Sequence, residues 1–313
     1  MNWAVIANPD KPGLQAPLLA AIRILHNRNQ TVRLPSSLFG LMEPHPGQSD
    51  NKEADKPHLI RCTNENESVS GSDIVLVIGG DGTILHTAQR VMNLEIPILG
   101  INTGRLGFMA SIQPQEIEAA VEQILAGNYE IDRRKMLTAS FQGILPEKQG
   151  EGAKADELPR VFHALNEHLF YKKGHVSLIS VTVRLNGQLL NRYLADGLII
   201  TTPTGSTAYN LSAGGPIVMP GTDVMVVTPV SPHTLTTRPV VVPLDSKLQI
   251  TIDEPDGTAL YAYDGIQMPI GQNPVTITAS PNHIQLIRLP HQTYFQTLRN
   301  KLMWGLDQRE KRE

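Results

Sequence analysis

The sequence predicts an α/β domain with a parallel sheet followed by an all-β domain, and three observations point to it. Over the first 128 residues, short apolar runs alternate with stretches at helical spacing, which is how strand–helix–strand units with right-handed crossovers read. After Tyr129 the texture changes to short β-branched runs divided by Asn-Gly, Pro and Gly turns, an all-β pattern. Near the end, "TYFQTLRNKLMWGL" returns to helical periodicity, so the tail is expected to pack back on the first domain. The expected division is therefore 1–128, with 290–313 returning to it, and a β-rich domain over 129–289.

Taken in order, "NWAVIANP" is an apolar run stopped by Asn8-Pro9, as a buried parallel strand should be. "GLQAPLLAAIRILHNRN" places Leu18, Leu19, Ile22 and Leu25 on one helical stripe. Ser49 to Asn66 is polar and reads mostly as loop. A strand over Asp73 to Ile78, a helix from Ile84 to Met92 and a strand in "IPILGIN" follow. The helix in "QPQEIEAAVEQILAGN" is opened by Gln113-Pro114 and closed by Gly127. In the second domain, "RKMLTASFQGIL", "FHALNEHLFYKK", "HVSLISVTVRLNGQLLNRYLADGLIITT", "SKLQITI" and "NPVTITA" supply strands, and Asn186-Gly187 marks a hairpin. The tract Pro146 to Arg160 reads as a solvated insertion.

Bulk properties narrow the function classes. A chain of 313 residues has room for about two domains. A net charge of -3 offers no signature of a nucleic-acid binder or a polybasic membrane surface. The single cysteine, Cys62, excludes an internal disulfide and a Cys-cluster metal site. "MNWAVIANPDKPG" lacks a signal-peptide pattern, and no run approaches the ~18 apolar residues of a membrane span. The expectation is a soluble, cytoplasmic protein with neither membrane nor nucleic acid as partner. The histidines show no HxH or HxxxH spacing, so any metal is expected to be magnesium arriving with a nucleotide.

The stretch "VLVIGGDGTILHTAQR" (Val75 to Arg90) delivers an acid into a bare turn after a buried strand. One reading is a tight strand-to-helix connection with Asp81 as helix cap. The other is a phosphate cradle, in which Gly79, Gly80 and Gly82 can take positive φ and let N–H groups approach an oxyanion, helped by a helix N-terminus. Asp81 repels phosphate directly, so it makes sense there if it faces magnesium or an attacking hydroxyl. The stretch is neither a Walker A loop nor a GxGxxG fingerprint. "GINTGRLGF" again places glycines at the C-terminal end of a strand, the edge where open α/β sheets bind ligands. "DGLIITTPTGSTAYNLSAGGPIV" packs Thr201, Thr202, Thr204, Ser206 and Thr207 into one loop, a density of hydroxyls suited to hydrogen-bonding adenine and ribose.

GGDGT, "NTGRLGF", "LNE" (Leu165 to Glu167), "DGLIITTPTGSTAYNLSAGGPIV", "SPHTLTTRP" and "LRNKLMWG", in this order between Asp73 and Gly305, resemble the NAD kinase family. GGDGT is shared with lipid kinases and, as a near variant, with phosphofructokinases; the long Thr-rich motif is far more specific. The resemblance implies transfer of the γ-phosphate of ATP, or a phosphoryl group of polyphosphate, to the adenosine 2′-hydroxyl of NAD, giving NADP. It implies that Asp81 is the proton acceptor, with Gly79, Gly80, Gly82 and Thr83 of its motif, and Asn102 and Phe108 of the next, at the nucleotide. Asn166 and Glu167 match the pair that contacts NAD, Asp196 matches an acid at the dinucleotide, and Thr207, Ala208, Tyr209, Asn210, Leu211 and Ser212 match the segment around the adenosine end. His86 falls where members often carry a basic residue near the substrate.

The resemblance is thinner at other positions. His175 and Ser177 lie where members vary in a substrate-contacting residue, and His233 matches a family histidine. In "YDGIQMPI" the family's Asp-Gly-Gln is interrupted by Ile266, which leaves a contact by Gln267 open. Arg105 fits a phosphate contact or an exposed loop equally. A homodimer or homotetramer, with β-domain surfaces completing neighbouring sites, is also implied. Two other readings compete: a lipid or sugar kinase with GGDGT, which should lack the Asn-Glu pair and "TAYNLS", and a non-enzymatic nucleotide sensor, which should have lost Asp81.

Overall fold

The computed structural model describes residues 1–42, 58–104, 106–141, 160–172, 178–253, 259–271, 273–290 and 292–304. The chain divides into two compact units, Met1–Arg133 with Ile284–Glu313, and Arg134–His283.

The first unit is built on parallel strands β1 (Asn2–Ala7), β2 (Thr31–Pro35), β3 (Leu59–Cys62), β4 (Ile74–Gly79) and β5 (Ile98–Asn102). They lie in the order β3-β2-β1-β4-β5. Trp3 to Ala7 and all of β4 and β5 are buried, as strands covered on both faces must be, and this is why they read as unbroken apolar runs. Helices α1 (Gln15–Asn27), α2 (Ser36–Phe39), α3 (Glu65–Ser70), α4 (Asp81–Val91) and α5 (Ile117–Leu125) connect them. α1 buries Leu18, Ala21, Ile22 and Leu25 against a core that includes Trp3, Leu34, Ile78 and Val121; Leu19 is half-buried at the edge of that stripe.

Two local expectations change. The helix after GGDG starts at Asp81, not Ile84, because Gly80 is already its extended N-cap (φ -134°, ψ -169°). The polar tract ending at Asn66 is not all loop. Its part over 49–57 lies outside the described residues, but Leu59–Cys62 pairs with β2, Val32 opposite Leu59. α3 then opens with Asn64 Oδ1 accepting from Glu67 N–H at 3.0 Å and Glu67 Oε2 accepting from Thr63 N–H at 2.7 Å. A four-residue strand has too few positions to register as periodic, so its identity comes from its partner. Gln113 and Glu116 form a capping box before α5, and Gly127 (φ +75°) ends that helix.

The second unit contains β6 (Glu130–Phe141), β7 (Arg160–Ala164), β8 (Glu167–Lys172), β9 (Ile179–Leu185), β10 (Gln188–Ala195) and β11 (Gly197–Thr201). A short helix α6 (Tyr209–Ser212) precedes β12 (Val224–Val230), β13 (Val240–Pro243), β14 (Leu248–Asp253), β15 (Ala259–Tyr263), β16 (Ile266–Pro269) and β17 (Val275–Arg288). One antiparallel sheet runs β13-β12-β11-β8-β15-β16, and a second ladder runs β10-β9-β14-β17. Between them sits a separate core around Phe141, Phe170, Leu198, Ile250 and Tyr261. Asn186 and Gly187 take φ +50° and +85°, the left-handed pair that a two-residue hairpin turn requires. Asp264 and Gly265 repeat it (φ +45° and +86°) between β15 and β16.

The unit boundary falls inside β6 and β17. The last residues of β17 pair in parallel with β5, Leu286 opposite Ile98, and helix α7 (Tyr294–Leu302) also belongs to the first unit. Its Tyr294 ring lies 6.5 Å from the Phe108 ring, so the helical tail returns as its periodicity predicts.

Candidate functional site

In the first unit the site grows from the C-terminal end of β4. Gly79 is required by close approach, since a Cβ there would lie 2.2 Å from Thr83 Oγ1. Gly80 and Gly82 instead have nothing within 4 Å of where a Cβ would stand, leaving main chain open to an incoming group. The positive φ open to a glycine is used at none of the three. The turn achieves its sharpness with an extended Gly80, and the glycines serve to keep side chains out of the way.

Asp81 does not cap its own helix, whose N-cap is Gly80. Its carboxylate crosses to the loop after β5, where Oδ2 accepts from Phe108 N–H at 2.8 Å and Oδ1 from Met109 and Ala110 N–H at 3.0 Å each. Gly107 makes this possible, because a Cβ there would stand 2.1 Å from Asp81 Oδ1. Asn102, buried at the end of β5, accepts from Gly104 N–H at 2.8 Å and shapes the same loop. Lys301 of α7 places Nζ 3.6 Å from Asp81 Oδ2 and 4.5 Å from the centre of the half-buried Phe108 ring, within cation–π range. Sequence reasoning missed Lys301, since a lysine in the last turn of a helix carries no sign of where its tip goes.

His86 is exposed and its Nε2 lies 2.9 Å from Glu65 Oε2, which also pairs with Arg90 Nε at 2.8 Å. Gly82, Thr83 and His86 line a cavity of about 410 Å³ with Asn8 and Glu65. Among the described residues no three His, Cys, Asp or Glu side chains gather to hold a metal ion.

The second unit's motif corrects the reading of its hydroxyls. Thr201 Oγ1 donates to Asn166 O (2.9 Å), Thr202 Oγ1 to Leu165 O (2.6 Å), Ser206 Oγ to Pro203 O (2.7 Å) and Thr207 Oγ1 to Thr204 O (3.3 Å). Thr201, Thr202 and Ser206 are fully buried, and buried hydroxyls need partners; here the main chain supplies them. The hydroxyls are scaffold. Asn210 is likewise a knot, donating to Ser206 O and Pro216 O and accepting from Thr228 Oγ1 at 2.6 Å. Gly215 would drive a Cβ to 2.0 Å from Asn210 Oδ1, and Gly205 to 2.3 Å from Asn166 O. From this scaffold the chain runs through Thr207 and Ala208 into α6, with Leu211 half-buried and Tyr209 and Ser212 exposed.

Asn166 and Glu167 occupy the bend between β7 and β8. The Asp264 carboxylate accepts from Leu165, Asn166 and Glu167 N–H at 2.7, 2.8 and 3.3 Å. Asn166 is buried, and Glu167 Oε2 is buried without a hydrogen-bond partner. Burial, reinforced by the nearby Asp264 charge, pushes the Glu167 carboxyl up to about 8. Glu167, Asp196, Tyr209, Asp264 and Gln267 line one cavity of about 810 Å³, with Lys172 its lysine. Deeper in the sheet, burial pushes His168 down to about 3, and its Nδ1 pairs with Tyr261 Oη at 2.7 Å; this neutral histidine belongs to the core. His233 is exposed outside the lining of that cavity. Arg105, His175 and Ser177 lie outside the described residues, as does the tract 146–159.

Two family models match the chain, the ATP-NAD kinase N-terminal domain over residues 4–129 and the ATP-NAD kinase C-terminal domain over 165–289. The chain belongs to the NAD kinase family. It is 39% identical over 238 residues to the NAD kinase of Flavobacterium psychrophilum, covering 76% of this chain and 78% of that one. It is 35% identical over 284 residues to the NAD kinase of Chlorobium phaeobacteroides, covering 89% and 94%. The fold matches the crystal structure of yeast NADH kinase complexed with NADH at a TM-score of 0.83 and 23% identity, covering 98% of this chain and 89% of that one. An NAD kinase from Archaeoglobus fulgidus in complex with ATP matches at a TM-score of 0.69 and 23% identity, covering 97% and 99%. NAD kinases are phosphotransferases, and neither competing reading is favoured by these matches. Among the described residues no helix is long and apolar enough to cross a membrane.

Proposed function

We propose that the chain transfers the γ-phosphoryl group of ATP, or a phosphoryl group of polyphosphate, to the 2′-hydroxyl of the adenosine ribose of NAD, giving NADP. The observation that carries this reading is the state of the Asp81 carboxylate. A carboxylate has about four lone-pair positions. Three accept loop N–H groups, which lock its orientation and leave one position on Oδ2. An attacking hydroxyl donates its proton there. As its oxygen forms the new bond to phosphorus, the bond from phosphorus to the bridging oxygen of the donor breaks, and the acceptor's proton passes to Asp81. The transition state is loose, so the proton moves late, and orientation matters more than basicity.

Gly79, Gly80, Gly82, Thr83 and His86 form the phosphate side of this reading, and Asn102 and Phe108 hold the loop that orients Asp81. Asn166, Glu167, Asp196 and the segment from Thr207 to Ser212 bind the dinucleotide, through main chain and the Tyr209 ring more than through hydroxyls. Ser177, His233 and Gln267 are further contacts in this reading. Magnesium entering with the donor phosphates, and held through their oxygens, would neutralise charge on the transferring group, leaving the open Oδ2 position of Asp81 to the hydroxyl. The reading also includes a homodimer or homotetramer in the cytoplasm, acting without nucleic acid or membrane.

The test is NADP formation from purified protein with NAD, ATP and magnesium, beside an Asp81→Asn control. NADP at wild-type level in the control would end the role given to Asp81, and none in either would end the reaction itself. Replacing ATP by polyphosphate and NAD by NADH in the same assay fixes the donor and acceptor.

A further inference from the structure

We infer that Asp264 is a positioning residue for dinucleotide binding, fixing the Leu165–Glu167 bend through its main chain and setting its charge against the Glu167 carboxyl. The inference rests on the reading that Asn166 and Glu167 meet NAD.

The bend needs such a group. Leu165, Asn166 and Glu167 present three successive N–H groups, and Leu165 and Asn166 are buried. Buried main-chain donors must find acceptors, and β7 ends at Ala164 while β8 starts at Glu167. Asp264 accepts from all three and returns its own N–H to Glu167 O at 3.2 Å. The opposite side of the bend is held by the motif loop: Asn166 O accepts from Thr202 N–H and Thr201 Oγ1, both at 2.9 Å, and Leu165 O accepts from Thr202 Oγ1. The bend is therefore clamped on its amides by one hairpin turn and on its carbonyls by another segment. Asp264 can stand there because its φ of +45° is one that aspartate tolerates and most residues do not.

The side chains of the bend are what this clamp presents. Glu167 Oε2 is buried without a partner and its residue lines the cavity of about 810 Å³. Among the described residues, the titratable and charged groups around it are Asp264 and Tyr263 at the β15–β16 turn, His168, Tyr171 and Lys172 on β8, Asp196 before β11 and Tyr209 on α6. Among the described residues, three carboxyl groups thus share one cavity with a single lysine. With Asp264 ionised, Glu167 keeps its proton through neutral pH and offers NAD a hydrogen-bond donor. Ionised, it would add negative charge opposite a ligand that brings two phosphates.

The experiment measures KM for NAD, kcat and NAD binding from pH 5.5 to 9.5 for the full chain, Asp264→Asn, Asp264→Ala and Glu167→Gln, with a thermal melt of each. Wild-type affinity for NAD falls as pH rises through about 8. Asp264→Asn raises KM for NAD about tenfold with kcat within about twofold, and moves the fall to lower pH or removes it, since both the orientation and the opposed charge are altered. Asp264→Ala raises KM further. Glu167→Gln abolishes the fall. A folded Asp264→Asn with wild-type KM and the wild-type pH step overturns the inference. Should both Asp264 variants fail to fold, a pH step that survives in Glu167→Gln overturns it instead. A wild type that binds NAD with this step but forms no NADP sinks the reaction and leaves the clamp standing. NADP formation with no effect at Asp264 does the reverse.

Discussion

Asp81 and Asp264 use one device in two different units. Each is an aspartate whose carboxylate takes three neighbouring main-chain amides, at 2.8 to 3.0 Å for Asp81 and 2.7 to 3.3 Å for Asp264. They differ in what remains once the amides are served. Asp81 keeps an open position on Oδ2, glycines without side chains beside it and a lysine ammonium 3.6 Å away. Asp264 faces a second carboxyl, Glu167, whose proton is held mainly by burial and further by the Asp264 charge. The amides fix geometry in both places; the next charge decides whether the carboxylate itself reacts or controls another group.

The comparison breaks most sharply at Asp81. Asp81→Asn sets an NH₂ against loop amides and removes the proton acceptor, so kcat falls about 10³-fold or more, while NAD still binds to within a few-fold by calorimetry. If turnover survives, the two carboxylates are both merely braces. Next comes Gly107→Ala, whose Cβ would lie 2.1 Å from Asp81 Oδ1. Displacing the loop by that contact should lower kcat about 10²-fold with little change in KM for NAD, and an unchanged kcat would mean the loop does not orient Asp81.

The third effect is on stability and belongs to the Asp264 side. Glu167 rises from 4.5 to about 8 on folding, so between those values the folded state holds a proton that the unfolded state has released. The Glu167 contribution to stability therefore falls as pH rises from about 4.5 to about 8, by a few kcal/mol at most, and is level outside that window. Glu167→Gln removes this slope, seen as denaturation midpoints at pH 6.5 and pH 8, above the range in which His168 titrates, that differ less than in wild type. Equal slopes in the two proteins would show that Glu167 is ionised throughout. The smallest effect is at Lys301, a pair one-third exposed on its lysine side. Lys301→Met costs about 0.5–1 kcal/mol of transition-state stabilisation, a two- to fivefold loss in kcat/KM, and Lys301→Arg restores it; no recovery with arginine would show that the charge is idle.

The parts legible in sequence were those written in consecutive residues. β1, β4 and β5 announce themselves as unbroken apolar runs, and Asn186-Gly187 as a hairpin, because each depends on residues a few positions apart. The GGDGT and Thr-rich motifs were visible for the same reason. Their roles were less so. Thr201, Thr202 and Ser206 looked like ligand contacts because a hydroxyl does not reveal whether its partner is a ligand or its own main chain. Asp81 looked like a cap or an acid facing magnesium or an attacking hydroxyl, and only the loop 27 to 29 residues downstream shows what holds it. Asp264 and Lys301 stand 97 to 99 and 220 residues from what they touch. Separations of that kind leave no local trace. The short β3 and the β15–β16 turn were lost in the same way, each decided by a pairing and not by its own composition.

The placement of β17 bears on how the chain is made. Its last residues pair with β5 and bring Ile287 and Leu289 into the first unit's core, although 150 residues of the other unit, Arg134–His283, are synthesised in between. At about 5–20 residues per second a ribosome spends roughly 10–30 s on that interval. Throughout it the nascent first unit has a β5 edge bridged by Ile112 at one end but without its β17 partner at Ile98, and a gap in its interior, and an open edge is a template for association with other chains. A polypeptide laid out in this way cannot finish its beginning until it has nearly reached its end. Its yield in a cell should therefore depend on chaperone capacity and translation speed across residues 134–283 more than on the stability of the finished molecule.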